Sequence, residues 1–232
     1  MDSNEIQSLA DLESVHWWYL LRSESVVKWA QSLPAGSAIL DVGSASGGNT
    51  LLLSKLGFNL TSLEMSDLGF ELQLKKGVNV IQGDATKLPF KSASFDAVLC
   101  LDVLEHIEND VTALEEMYRV MKAKGKFLFS VPEDPKLWSD HDEAVNHVRR
   151  YLREDFEKKI SSVGFRISST RSSVVLLKWP IKFYRLFSKG SSLKRESFLI
   201  NSLLYRLGRF ERMVVPSSIS GVTLWSEGSK PN

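Results

Sequence analysis

The sequence predicts a doubly wound α/β domain built on a mostly parallel, seven-stranded sheet. Three observations carry that expectation. Seven short apolar runs read as strands, and three helical stretches fall among the first five. The runs are nearly continuous in apolar residues, as strands covered by helices on both faces are. Acidic residues stand at the ends of four runs, and a parallel sheet brings such ends to one edge.

The chain begins with a helical cap over Ile6–Leu33, HWWYLLRSESVVKWAQSL at its heart, closed by Pro34-Ala35-Gly36. Strand candidates follow at Ala38–Val42, Leu60–Leu63, Val78–Ile81, Phe95–Leu101 and Phe127–Val131. Helices are expected at Asn49–Lys55, Leu68–Lys75 and Val111–Met121; in the last, Val111, Leu114, Met117, Val120 and Met121 fall at helical spacing. About fifty residues separate strands near Phe165–Thr170 and Val222–Trp225, too many for a bare turn. The expected layout is a cap (1–36), a core (37–172), a basic apolar helical insertion (173–217), and a final strand with tail (218–232).

Composition removes several classes. Of 232 residues, 43% are hydrophobic and 25% charged, a globular profile. Lys and Arg number 29 against 28 Asp and Glu, so no global field advertises nucleic acid. The single cysteine, Cys100, cannot build a disulfide framework and fits a reducing compartment. The polar, acidic start is no signal peptide, and no run is long enough to span a bilayer. A cytoplasmic protein is expected, peripheral to a membrane at most. Charge is nonetheless uneven. Between Arg171 and Arg212, ten Lys/Arg face two Glu, a net of +8, which leaves −7 for the remainder.

The segment Ile39–Thr50, ILDVGSASGGNT, ends a strand in Asp41 and opens a helix through small residues. Such a loop lets backbone amides approach a ligand, and a helix N-terminus favours an anion. Gly43-x-Ala45-x-x-Gly48, with Glu64 21 residues after Gly43, also fits a degenerate dinucleotide fingerprint. The acids separate the readings. Asp41, Glu64, Asp84 and Asp102 close four successive strands. Crowded carboxylates suit a cationic ligand rich in hydroxyl and amino donors, whereas a pyrophosphate would be repelled by Asp41.

From Ala38 to Phe165 the chain resembles the class I S-adenosylmethionine-dependent methyltransferases. The resemblance rests on D-V-G-x-A-x-G at 41–47, the acid ending the second strand, G-D-A at 83–85 before L-P-F, and F-D-A-V-L-x-x-D-V-L-E-H at 95–106. Ala45 stands where the family has Gly. The resemblance implies a Rossmann-like methyltransferase fold, S-adenosylmethionine as cofactor and S-adenosylhomocysteine as product. It implies that Gly43, Ala45 and Gly47 line the methionine and ribose portion, with Asp41 orienting the loop or the amino group. Glu64 would accept both ribose hydroxyls, Asp84 the adenine amino group, and Ala85 would offer its amide to the ring. Met65 would pack on the adenine face. Asp102 would lie by the methionine amino group, or instead cap the following helix. Outside the core, HWWYLLRSE, the 141–165 segment and INSLLYRLGRFE resemble a methyltransferase type 11/12-like subgroup often found beside polysaccharide or glycolipid assembly functions.

A hydroxyl or amine acceptor requires a base. His106 and His147, with Tyr151, are the candidate catalytic groups. His141 and His147 are six apart, on different helix faces, so no two-histidine helical metal motif exists and no metal is expected. Arg149 and Arg150 would clamp an anionic acceptor or pair with Glu154 and Asp155. Trp17 and Trp18 read as docking residues, and Arg22 is a candidate for the methionine carboxylate. In the insertion, Lys178, Lys182, Arg185 and Lys189 fall on one helical face. The segment reads as a lid placing Phe183, Tyr184 and Phe187 in the acceptor pocket, or as an interfacial helix laying 174–189 on anionic lipid. A nucleic-acid role ranks well below these. The expected function is methyl transfer to a small or lipid- or glycan-linked acceptor, at oxygen. Its rivals are a cofactor-binding fold member without catalysis and a nicotinamide-dependent oxidoreductase.

Overall fold

The structure is a computed structural model in which residues 3–187 and 196–232 are described. Lys189, Lys194 and Arg195 of the basic insertion lie outside the described residues. Side-chain detail for Phe187 lies outside them too.

In chain order the elements are α1 (Ser3–Leu12), α2 (Trp17–Ala30), β1 (Ala38–Val42), α3 (Gly48–Lys55), β2 (Asn59–Glu64), α4 (Asp67–Lys75), β3 (Val80–Gln82), β4 (Phe95–Leu101), α5 (Asp110–Val120), β5 (Met121–Pro132), α6 (Asp140–Ala144), α7 (Arg153–Ser162), β6 (Arg166–Ser173), α8 (Lys178–Phe187), α9 (Phe198–Val214) and β7 (Thr223–Ser229). Seven strands form one sheet in the order β3-β2-β1-β4-β5-β7-β6. The first five run parallel, and β7 enters antiparallel between β5 and β6. This is the mostly parallel, doubly wound sheet expected, with one antiparallel hairpin at its edge.

Both faces are covered. On one, Phe127 and Phe129 stack with centroids 4.5 Å apart, under Leu114 and Met117 of α5 and Phe156 of α7. On the other, Trp29 of α2 and Leu53 of α3 pack against Ile39, Leu99 and Leu128. A third cluster joins Trp17 and Leu21 to Leu137, Val174 and Val222, with Ile181 of α8 and Leu204 of α9 against it. Thus Trp17 and Trp18 do dock the N-terminal helix.

Some boundaries differ from expectation for local reasons. The cap is two helices, because His16 takes an extended conformation and N-caps α2 through Trp18 N. Asn201 of α9 braces that break, accepting from Trp17 N at 2.7 Å and donating to Val15 O at 2.8 Å. Helix α5 stops at Val120 although the apolar spacing continues to Met121. That residue is buried as the first residue of β5, paired with Phe95, so helix and strand periods coincide there.

Candidate functional site

The loop leaving β1 alternates into the left-handed region at Gly43 (φ +69°), Ala45 (φ +49°) and Gly47 (φ +79°). Space also dictates glycine at two of these positions. A Cβ on Gly43 would lie 2.4 Å from Val103 Cγ2, and one on Gly47 2.7 Å from Gln73 Cγ. Gly47 then N-caps α3.

Three polar groups knit the loop. Glu64, ending β2, accepts from Ala45 N at 2.7 Å with one carboxylate oxygen. Its other oxygen accepts from Ser66 N (2.9 Å) and Ser66 Oγ (2.7 Å). Asp41 is buried and accepts from Thr50 Oγ1 at 2.6 Å, tying β1 to α3. Burial pushes the Asp41 carboxyl up to about 6, against the pull of Thr50 and Arg22. Gln73 donates to Ser44 Oγ and Ala45 O, both at 2.9 Å, and accepts from Ser62 Oγ at 2.7 Å. Sequence reasoning missed Gln73, whose polar side chain on α4 looks solvent-facing until its complete burial is seen.

At the end of β4, Asp102 adopts φ +51° and forms an ion pair with Arg22 of α2 at 2.5 Å; it also accepts from Ser130 Oγ at 2.8 Å. It is not a helix cap: Val103 N-caps the short 3-10 turn Leu104–His106, and Asn109 caps α5. Asp41, Gly43, Ala45, Asp102 and Arg22 all line one cavity of about 710 Å³. Glu64 and Gly47 are not among the residues that line it. Met65 is 72% exposed, Asp84 is exposed and holds its own turn through Thr86 N at 2.8 Å, and Ala85 is buried. These three flank β2 and β3, outside the cavity.

The same cavity is lined by Glu105, His106, His141, His147 and Arg150, and by Tyr184 and Arg185 of α8. His147 Nδ1 lies 2.8 Å from Asp142 Oδ1, and Arg150 Nε donates to the same oxygen at 2.7 Å. Burial works against the charge of Asp142, but His147 and Arg150 hold it below the usual carboxylate range. Burial, with His147 adding repulsion, lowers His106 to about 4, so it is neutral at pH 7. One ligand atom each from Glu105, His106 and His147 lies within 4.8 Å of the others. The expectation of no metal-ligating group rested on spacing within 140–147, whereas His147 meets residues forty positions earlier.

Four expectations are corrected. Tyr151 does not face the cavity: it is 3% exposed, its hydroxyl donates to Asp110 at 2.7 Å, and burial with Asp110 raises it far above its usual range. Arg149 and Arg150 pair neither with Glu154 nor with Asp155; Arg149 meets Asp110 at 2.9 Å and Arg150 meets Asp142. Lys178 does not turn its charge outward toward a lipid surface, being 8% exposed with Nζ 2.8 Å from Asp134 and 2.9 Å from Ser220 Oγ. Phe183 points outward, 64% exposed, rather than into the pocket. Helix α8 therefore turns Lys178 and Arg185 inward and Trp179 and Phe183 outward. Buried Arg185 Nε has no hydrogen-bond partner among the described residues, and burial lowers this guanidinium to about 10.

The strand order, the glycine turn after β1 and the acids ending β1, β2 and β4 define a class I methyltransferase fold, the S-adenosylmethionine-dependent kind. Residues 40–129 match the family described as "Methyltransferase domain". An uncharacterized methyltransferase, YcgJ of Bacillus subtilis, is 35% identical over 54% of this chain and 52% of its own length. The sarcosine/dimethylglycine N-methyltransferase of Aphanothece halophytica is 32% identical over 43% of this chain and 39% of its own. The chain thus spans about half or less of these relatives. A solved complex of the Haloferax volcanii Trm112 methyltransferase activator with a putative methyltransferase gives a TM-score of 0.66 at 17% identity, covering 99% of this chain and 95% of that one. This last likeness concerns the fold alone.

Proposed function

We propose that the chain binds S-adenosylmethionine along β1, β2 and β4 and methylates a hydroxyl of a small or lipid-linked acceptor. The observation that supports this most is the shared cavity, lined both by the Asp41–Ala45 loop and Asp102 and by Glu105, His106 and His147. The donor set fits the cofactor. Asp41 and Asp102 suit an amino group, Arg22 a carboxylate, and Glu64 a pair of hydroxyls once Ser66 yields. Asp84, Ala85 and Met65 are assigned to the adenine end.

When bound, the cofactor supplies a methyl group already activated on a sulfonium. The protein's part is alignment, worth up to about 7–11 kcal/mol in favourable cases, and removal of the acceptor proton. Neutral His106 and Asp142-held His147 face the space where that proton would leave. Arg185, unpaired at Nε, suits an anionic group on the acceptor. Oxygen rather than nitrogen is favoured because a hydroxyl needs such a proton-handling group more than a neutral amine does, even though one relative is named an N-methyltransferase.

The lipid link rests on exposed apolar side chains around the cavity roof. Trp179 and Phe183 of α8 are joined by Leu199 (79% exposed), Leu203 (66%) and Met213 (84%) of α9, with exposed Arg206 and Arg209 among them. Apolar residues flanked by cations suit an anionic bilayer surface. Among the described residues no helix is long and apolar enough to cross a membrane.

Calorimetric titration with S-adenosylhomocysteine tests the cofactor site. Binding by the wild type, weakened at least tenfold in Glu64→Ala and absent with NADH, is expected. No binding by folded wild type would overturn the reading.

A further inference from the structure

We propose that Glu105, His106 and His147 hold one divalent transition-metal ion in the wall of the cavity. Glu105 carries the argument. It is 0% exposed, it lines the cavity, and neither carboxylate oxygen has a hydrogen-bond partner. A buried carboxylate left without donors is costly, and native proteins rarely tolerate one without a function.

Its neighbours cannot supply the missing donors. His147 Nδ1 faces the acceptor oxygen of Asp142, so the ring proton sits on Nδ1 and Nε2 offers a lone pair. That Nε2 is 3.7 Å from Glu105 Oε1, beyond hydrogen-bond reach. His106 Nδ1 lies 3.1 Å from the backbone carbonyl of Asn146, which fixes the same tautomer and leaves its Nε2 lone pair free. One ligand atom from each of the three side chains lies within 4.8 Å of the others. A cation satisfies all three.

The surroundings have the form of a metal site's outer shell. Asp142 orients His147 as carboxylates orient metal-bound imidazoles, and Arg150 fixes Asp142 in turn. Two imidazoles and one carboxylate suit Zn²⁺, Co²⁺, Mn²⁺ or Fe²⁺ better than Mg²⁺ or Ca²⁺. All three side chains line the cavity. If this wall is the acceptor side, which rests on the methyl-transfer reading, the ion would take the place of the free histidines in proton handling, holding an acceptor oxygen and easing loss of its proton to solvent. Ion binding itself does not depend on that reading.

The test uses the full chain, tag-free and stripped with chelator, titrated with Co²⁺ and followed by its visible d–d absorption. One equivalent should bind, be displaced by Zn²⁺, and weaken at least tenfold in both Glu105→Gln and His147→Gln. Asp142→Asn should weaken it about 10–100-fold through the outer shell. S-adenosylhomocysteine titration of the same samples reports on folding and on the cofactor site separately. Cofactor binding without a Co²⁺ spectrum, or Co²⁺ affinity unchanged in both substituted proteins, overturns the metal site. A Co²⁺ spectrum without cofactor binding would leave the metal site standing and remove the methyl-transfer reading instead.

Discussion

Asp41 shows how one side chain can position a ligand loop and still weaken the fold. Its folded carboxyl titrates near 6, while the ordinary value is 3.8. Between those values the folded chain binds a proton that the unfolded chain has released. Stability from this group therefore falls as pH rises through that window, and stays lower above it. Asp41→Asn keeps an acceptor for Thr50 and removes the titration. Urea unfolding from pH 4 to 8 should show the substituted protein gaining on wild type up to about pH 6 and then holding a constant lead. A difference independent of pH would mean that Asp41 is charged in the fold throughout. Glu64 differs: its three donors come from Ala45 and Ser66, so its substitution should act on the loop and on ligand binding together.

Helix α8 carries a lesson about elements. Its cations at 178, 182 and 185 fall on one face, which the sequence reads as part of a lid or as an interfacial stripe meeting anionic lipid. The fold puts that face against the body because Asp134 and Ser220 meet Lys178, while the apolar side chains of Trp179 and Phe183 take the solvent. Lys178→Ala should cost about 1–3 kcal/mol by stranding Asp134. Lys182→Ala should cost under about 1 kcal/mol, since Lys182 only rests over the Trp179 ring at 5.4 Å. Equal shifts in the urea midpoint would contradict this inversion. The core elements were legible because local signals agreed: β1 and β4 match their apolar runs residue for residue, and the glycine turn fixes α3. What pattern could not show was pairing across the chain. Nothing near Tyr151 announces Asp110, and nothing near His147 announces Glu105, because each contact spans about forty residues. Glu105 stood inside a motif read for Asp102 and His106, yet its isolation appears only once the surrounding backbone is in place.

At the scale of the whole molecule, the exposed apolar side chains of α8 and α9 form a surface beside the cavity roof. On the proposed lipid-facing role, the full chain should co-sediment with vesicles containing anionic phospholipid and less so as salt rises. Leu203→Glu combined with Met213→Glu should abolish this while leaving cofactor binding intact. Unchanged co-sedimentation would remove the role, and a loss of self-association in its place would assign the surface to a second copy. The same helices are tied to the N-terminal segment by Asn201 and by the Tyr205 and Arg212 contacts with Glu24, so whatever touches α9 also bears on α2 and Arg22.

The placement of β7 has a consequence for how the chain comes off the ribosome. In space it is interior, with β5 on one side and β6 on the other, but in synthesis it is the last strand of the sheet to arrive. Until residues 223–229 are delivered, the nascent sheet offers two raw margins of unsatisfied amides and carbonyls, one on each flank of an open slot. The final strand therefore acts as a keystone, and an interruption of translation just before it would release a protein with its ligand loop already made and a sheet primed to pair with its neighbours.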